Sequence, residues 1–259
     1  MSVDAALAAL GAVALFMTGV WLLSVARRDA GIVDVAWGLG FLAAAWAYRG
    51  SAEVATSRQV LVLVLLHLWG LRLALHLLRR NWGSPEDRRY RRMRERGGGS
   101  FWWASLFKVF WLQAVLAWMV AAPVGVALLA EVPATLGGLD GLGIALVAVG
   151  LLFEAGGDWQ LARFRRDPAN RGRVCDRGFW RYTRHPNYFG DAVVWWGFFA
   201  FAAATPDGWW SAVGPLLMTV LLVRVSGVAM LEPDLQRSKP GYRAYVARTS
   251  QFFPWPPRE

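Results

Sequence analysis

Cysteine is nearly missing: Cys175 stands alone in 259 residues. It cannot close an internal disulfide, so a disulfide scaffold is excluded and nothing points to an oxidising compartment. Charge is scarce too, at 18% of residues against about 25% in soluble domains. Lysine occurs only as Lys108 and Lys239, so arginine supplies 26 of the 28 cations behind a net charge of +10. There is no internal repeat and no low-complexity tract beyond Gly97–Gly99. Neither a P-loop nor a Gly-x-Gly-x-x-Gly following a strand is present, which excludes the soluble nucleotide-binding folds. His67 and His76 are isolated imidazoles with no Cys partner and no His-x-x-Glu-His spacing, so no metal site is expected.

Apolar residues dominate instead. They make up 56% of the chain, with 16 Trp and 27 Gly, and the mean hydropathy is +0.33. A bilayer-spanning helix needs about 20 mostly apolar residues, and such segments recur along the chain. Ala5–Val25 is the first, with no basic region before it and no convincing cleavage site, and is expected to be a retained span. Gly31–Tyr48, Val60–Leu78 and Val109–Ala130 follow. A fifth starts at Leu142–Phe153 and must run on toward Asp158 to be long enough. Tyr188–Ala204 and Trp209–Leu231 complete seven.

With seven spans, 23 of the 28 cations fall on one side of the membrane and two, Arg49 and Arg58, on the other. That is the positive-inside pattern, with the N-terminus outside and the C-terminus cytoplasmic. The expected fold is all-α, a single polytopic membrane domain over 1–259, its chemistry with water-soluble partners on the cytoplasmic face. A membrane lipid and a phosphorylated cofactor, rather than nucleic acid, are the expected partners of the basic side.

Polar residues inside spans mark candidate sites. Glu154 and Asp158 share a helix face, continued by Arg165, and Gly156 and Gly157 leave room for a close neighbour. Next, a basic loop bearing Arg173 and Tyr182 runs into Arg184-His185-Pro186-Asn187-Tyr188. Pro186 suits the first turn of a helix whose free N–H groups face an anion, and Arg grips phosphate with a planar fork. In the tail, Tyr242 and Tyr245 could stack on a flat ring. On the second span, Asp34 could line an intramembrane cavity.

The stretch from Asp158 to Asp191 and the tail from Leu231 to Pro256 resemble the C-terminal domain of the membrane steroid 5-alpha-reductase superfamily, in its bacterial branch of uncharacterised members. Asp34-Val-Ala-Trp-Gly and the run from Arg80 to Tyr90 extend the likeness over most of the chain. The resemblance implies a seven-helix membrane bundle that holds NADPH in its cytoplasmic half, in the region 158–259, and reduces an activated C=C bond of a lipid. It further implies that Asp158, Arg165, Arg173, Tyr182 and Asn187 contact NADPH, with Arg184, His185, Tyr188 and Tyr242 beside them. The family's proton donor is a glutamate on the second span paired with a tyrosine after the third; the residues at hand are Asp34 and Tyr90, and that departure bears on steroid as the substrate. Two alternatives stay open. Arg184-His185-Pro186-x-Tyr188 with Glu232 and Tyr242 is also similar to the isoprenylcysteine carboxyl methyltransferases, which bind S-adenosylmethionine, and a non-catalytic lipid-binding membrane protein could keep the same fold.

Overall fold

The computed structural model describes residues 2–225 and 227–258. All regular structure among them is helical. The chain forms two compact units, one of residues Met1–Gly137 and Phe201–Val213, the other of Gly138–Ala200 and Gly214–Glu259. The expected cofactor region, 158–259, lies in the second unit apart from residues 201–213.

The first unit holds α1 (Val3–Arg27), α2 (Ile32–Gly50), α3 (Ser57–Asn81), α4 (Arg88–Gly97), α5 (Phe101–Ser105), α6 (Leu112–Val120) and α7 (Ala122–Leu129). Local chemistry sets their starts. The Ser2 hydroxyl accepts from the Ala5 N–H at 3.2 Å, and Thr56 with Gln59 forms a reciprocal capping box at α3, satisfying donors that have no partner within the helix. Between α5 and α6 the chain makes a π-helical turn, Leu106–Trp111. Pro123 then opens α7, where its missing N–H costs nothing.

Close packing in this unit rests on small residues facing large ones. A Cβ on Gly38 would meet the Gly70 carbonyl of α3 at 2.7 Å, and one on Gly125 would enter the Tyr48 ring at 2.7 Å. Tryptophans stitch the later helices to α1. Trp111 Nε1 donates to Thr18 Oγ1 at 3.0 Å, Trp118 Nε1 to the Ala6 carbonyl at 2.9 Å, and Trp21 Nε1 to the Trp102 carbonyl at 2.9 Å. His67 is used up locally: Nδ1 lies 2.7 Å from the Leu63 carbonyl and Nε2 accepts from Trp46 Nε1 at 3.1 Å.

The second unit contains α8 (Gly138–Arg166), α9 (Phe179–Tyr182), most of α10 (Pro186–Ala203) and of α11 (Val213–Val220), α12 (Val228–Ser238) and α13 (Tyr242–Arg248). Its frame is a glycine seam between α8 and α10. Gly143, Gly150 and Gly157 recur at heptad spacing on α8, and Gly190 and Gly197 do so on α10. A Cβ on Gly150 would lie 2.6 Å from the Gly190 carbonyl, and one on Gly197 would lie 3.0 Å from the Gly143 carbonyl. Backbones that approach this closely tolerate only glycine at the contact.

Five helical runs are long and apolar enough to cross a membrane: Val3–Arg27, Ser57–Asn81, Arg88–Val120, Gly138–Arg166 and Gly208–Ser238. The two other expected spans are helices as well, α2 of 19 residues and α10 of 18. The fifth expected span does run on, α8 continuing through Asp158 to Arg166 over 29 residues. The fourth differs: its helical run begins at Arg88 and breaks near Ala121 instead of extending to Ala130. Pro123 is the physical reason, since its ring opposes an unbroken helix.

Substituting Gly190→Ala drives a methyl to 2.5 Å from the Glu154 nitrogen and the Gly150 carbonyl, and is expected to cost about 1–3 kcal/mol. Gly11→Ala, with nothing within 4 Å of the new methyl, is expected to be neutral or stabilising. Unfolding of both variants in mixed micelles compares them directly.

Candidate functional site

Two polar clusters stand out, one in each unit. In the first unit, α2 begins at Ile32 after a tight turn in which the Asp29 carboxylate accepts from the Gly31 N–H at 2.8 Å. This sets Asp34 in the opening turn of α2. The Tyr90 hydroxyl, on α4, donates to Asp34 Oδ1 at 2.7 Å. Arg89 reaches Asp34 Oδ2 at 2.6 Å and Asp87 Oδ1 at 3.0 Å, and its guanidinium lies 5.2 Å from the Tyr90 ring centre. The two residues expected as the acid pair are thus in direct contact, although 56 positions separate them. Tyr90 is buried while Arg89 and Asp34 are half-buried. Burial pushes the Asp87 carboxyl up, but its bonds from Arg89 prevail and hold it below the usual carboxylate range. Asp87 therefore serves as a charged counterweight that keeps Arg89 in place.

In the second unit the hub is Glu232 on α12. Arg184 clamps it with both fork nitrogens, Nε to Oε1 at 2.7 Å and Nη2 to Oε2 at 3.2 Å. His185 Nε2 lies 3.1 Å from the same Oε1. The remaining Arg184 nitrogen, Nη1, donates to the Thr249 carbonyl at 2.6 Å and the Val246 carbonyl at 3.3 Å. Arg184 is 7% and His185 3% exposed, and the Tyr188 ring stacks on the imidazole at 5.4 Å. The tail straps over this hub. Arg184 N–H donates to the Ser250 carbonyl at 2.9 Å, Trp255 N–H to Tyr182 at 2.9 Å, and Thr183 Oγ1 to Phe252 at 2.9 Å. Tyr245 adds a hydrogen bond from its hydroxyl to the Trp180 carbonyl. Burial, with the Glu232 carboxylate nearby, pushes the Tyr242 phenol up to about 12, and burial raises Tyr245 as well. Both stay neutral hydrogen-bond donors across the physiological range.

A second contact joins α8 to α10. Asn187 Nδ2 donates to Asp158 Oδ1 at 3.2 Å, and the approach is set by Gly157, where a Cβ would meet Pro186 at 3.0 Å. Gln160 and Trp180 brace the intervening loop, Gln160 Oε1 accepting from the Phe179 N–H and Trp180 Nε1 donating to the Gly157 carbonyl, both at 3.0 Å.

Of the residues expected to contact a cofactor, Arg184, His185, Tyr188 and Tyr242 belong to the Glu232 hub, and Asp158 and Asn187 pair beside it. Arg165, Arg173 and Tyr182 lie on the surface instead, Tyr182 with 44% exposure. Arg173, Arg177 and Arg181 are exposed and have no ion pair among the described residues. Two residues central to these clusters carried little signal of their own. Glu232 stands in the sequence as one member of the polar tail and of the methyltransferase likeness, and Arg89 as one letter of the Arg80–Tyr90 run. An acid interrupting an apolar segment was the available clue to Glu232.

Removing one partner of a buried ion pair leaves the other charge stranded. Glu232→Ala is therefore expected to cost about 3–5 kcal/mol and to open the tail beyond Gly241 to proteolysis. Melting temperature and limited proteolysis in detergent measure both effects.

Comparison with known proteins places the chain without naming a chemistry. It is 24% identical over 258 residues to an uncharacterized protein of Schizosaccharomyces pombe, covering 90% of this chain and 75% of that one. No solved structure matches. The model of one protein family matches residues 20–249, nearly the whole chain with both polar clusters, and the chain belongs to that family, described as a protein of unknown function (DUF1295).

Proposed function

We propose that the chain is an NADPH-dependent membrane reductase acting on an activated C=C bond of a lipid, similar to the steroid 5-alpha-reductases. The observation that carries this reading is the hydrogen bond from Tyr90 to Asp34, at 2.7 Å, with Arg89 closing the other carboxylate oxygen. A phenol and a carboxyl in contact on a rigid helical frame are what protonation of a nascent enolate requires. The same reading takes α2 and α10 as spans beside the five longer runs, with the N-terminus outside and the arginine-rich ends cytoplasmic.

The donor set of the second unit fits a phosphate-rich dinucleotide. Arg173 and Arg177, on the loop before α9, and Arg181, within α9, present exposed guanidinium forks, suited to pyrophosphate and a ribose phosphate. Asp158 and Asn187, bonded to each other at 3.2 Å, set a carboxylate and an amide beside them, and Tyr182 gives a ring for stacking. NADPH, when bound, supplies hydride for the β carbon of an α,β-unsaturated carbonyl. The single Tyr90 hydroxyl hydrogen, held on Asp34 Oδ1, would turn from that oxygen to the carbonyl oxygen. Arg89, bound to Asp34 Oδ2, would offset the negative charge left on the phenol oxygen, and a proton from water would restore the phenol.

A second reading is favoured by one observation: Glu232 gathers Arg184 and His185, with Tyr188 stacked on the imidazole. That is the residue set shared with the isoprenylcysteine carboxyl methyltransferases, for which S-adenosylmethionine is the ligand. The excess of exposed arginines favours the more highly phosphorylated cofactor and ranks the reductase first.

Ligand-induced stabilisation separates the readings. NADPH at about 100 times its Kd adds about 2.7 kcal/mol, a rise in Tm of about 5 °C or more for a protein of this size. Arg173→Ala and Asn187→Ala are expected to lose that rise while still purifying as folded protein. A rise with S-adenosylmethionine alone would establish the second reading, and a response to neither would leave a lipid-binding protein.

A further inference from the structure

The first unit carries a cleft of about 310 Å³ to which the reductase reading gives no ligand, although Asp87 lines its wall. Its volume lies at the lower end of the range of ligand pockets, about 300–1,000 Å³. It opens where α1 ends at Arg27 and α3 at Asn81 and Trp82. Both helices are 25-residue apolar runs long enough to cross a bilayer, so their shared end falls at the headgroup layer. Trp82, 74% exposed at the rim, is the residue type that settles at that depth. The cleft wall also includes Ile32, Val35 and Leu78, an apolar strip suited to the first carbons of acyl chains.

Its charges are unevenly spent. Glu86 is consumed, accepting from the Ala30 N–H at 3.0 Å and pairing with Arg94 at 2.5 Å. Asp87 is consumed by Arg89 at 3.0 Å. Arg27 and Asp29 both line the cleft, and neither has an ion pair among the described residues. Asp29 spends one oxygen on the Gly31 N–H at 2.8 Å, a contact that leaves its negative charge unneutralised. One cation and one anion thus face a single opening at the membrane surface, beside an exposed indole.

We propose that this cleft holds the headgroup of a zwitterionic, ammonium-bearing phospholipid. Arg27 takes the phosphodiester through a charge-assisted hydrogen bond, Asp29 and the Trp82 face take the ammonium, and Ile32, Val35 and Leu78 receive the glycerol end. The proposal does not depend on the reductase reading: Arg27, Trp82, Ile32, Val35 and Leu78 have no part there, and Asp29 touches it only through the turn before Asp34.

Native mass spectrometry of the full-length protein, released from micelles doped with phosphatidylethanolamine or phosphatidylglycerol, tests it. Wild type is expected to retain phosphatidylethanolamine at least fivefold more than phosphatidylglycerol. Arg27→Gln is expected to lose at least fivefold in phosphatidylethanolamine occupancy, and Asp29→Asn to abolish the preference over phosphatidylglycerol. Should Arg27→Gln not purify as a monodisperse species, Trp82→Ala, a rim change outside the helix core, carries the same expectation of reduced occupancy. Water-soluble phosphoethanolamine at millimolar concentration is expected not to displace the lipid. Equal retention of the two lipids by wild type, unaltered retention in the variants, or displacement by phosphoethanolamine would each overturn the assignment. The NADPH response of Arg27→Gln and Trp82→Ala is expected to match wild type, so loss of either result leaves the other standing.

Discussion

Glu232 brings a negative charge into a part of the second unit where little water reaches, and two side chains converge on it. Arg184 meets both of its oxygens and His185 meets one. Because Arg184 also donates to the Val246 and Thr249 carbonyls, the carboxylate indirectly fixes the path of the tail across α9 and the start of α10. The order of that whole end of the unit follows from one charge. Without the carboxylate, a buried guanidinium would have only carbonyl partners, and the tail would lose its anchor. Such a cluster costs much in desolvation, which close pairing and further hydrogen bonds must offset.

The first unit uses the same physics around Asp34. Its two oxygens are divided between a phenol and a guanidinium, and the guanidinium is in turn steadied by Asp87. Each partner comes from the segment around α4, so the charged helix that follows α3 is as much a wall of the Asp34 cluster as a solvated surface. A phenol held this way is oriented before any ligand arrives, and pre-orientation is how a weak acid becomes useful in proton transfer. The arginines of the second unit are the complement. Exposed and without an ion pair among the described residues, Arg173, Arg177 and Arg181 are available where Arg184 is not.

Most of the helices were readable from apolar length alone, because a membrane-length run has few other solutions. The break at Pro123 also had a local cause that the apolar run concealed. The glycine seam of α8 and α10 was readable in principle, since Gly143, Gly150 and Gly157 share one face. A glycine, however, announces only that space is small, not which helix fills it. The Asp34–Tyr90 contact came through family likeness; no local pattern pairs an acid in one helix with a tyrosine beyond the next. Arg184 and His185 show the limit most clearly. As letters in a basic loop they suit a phosphate ligand, yet their partner lies on another helix, 48 and 47 positions away. Only the fold reveals that their hydrogen bonds are already taken.

The central claim is that hydride passes from NADPH to a lipid while Tyr90 supplies a proton. It is tested most directly by incubating membranes that contain the protein with NADPH deuterated at the transferring carbon and analysing the lipid extract by mass. One lipid is expected to gain a deuterium together with a proton, in wild type but not in Tyr90→Phe. Absence of deuterium from every lipid, with a labelled methyl group incorporated instead when methyl-deuterated S-adenosylmethionine is offered, would contradict the account.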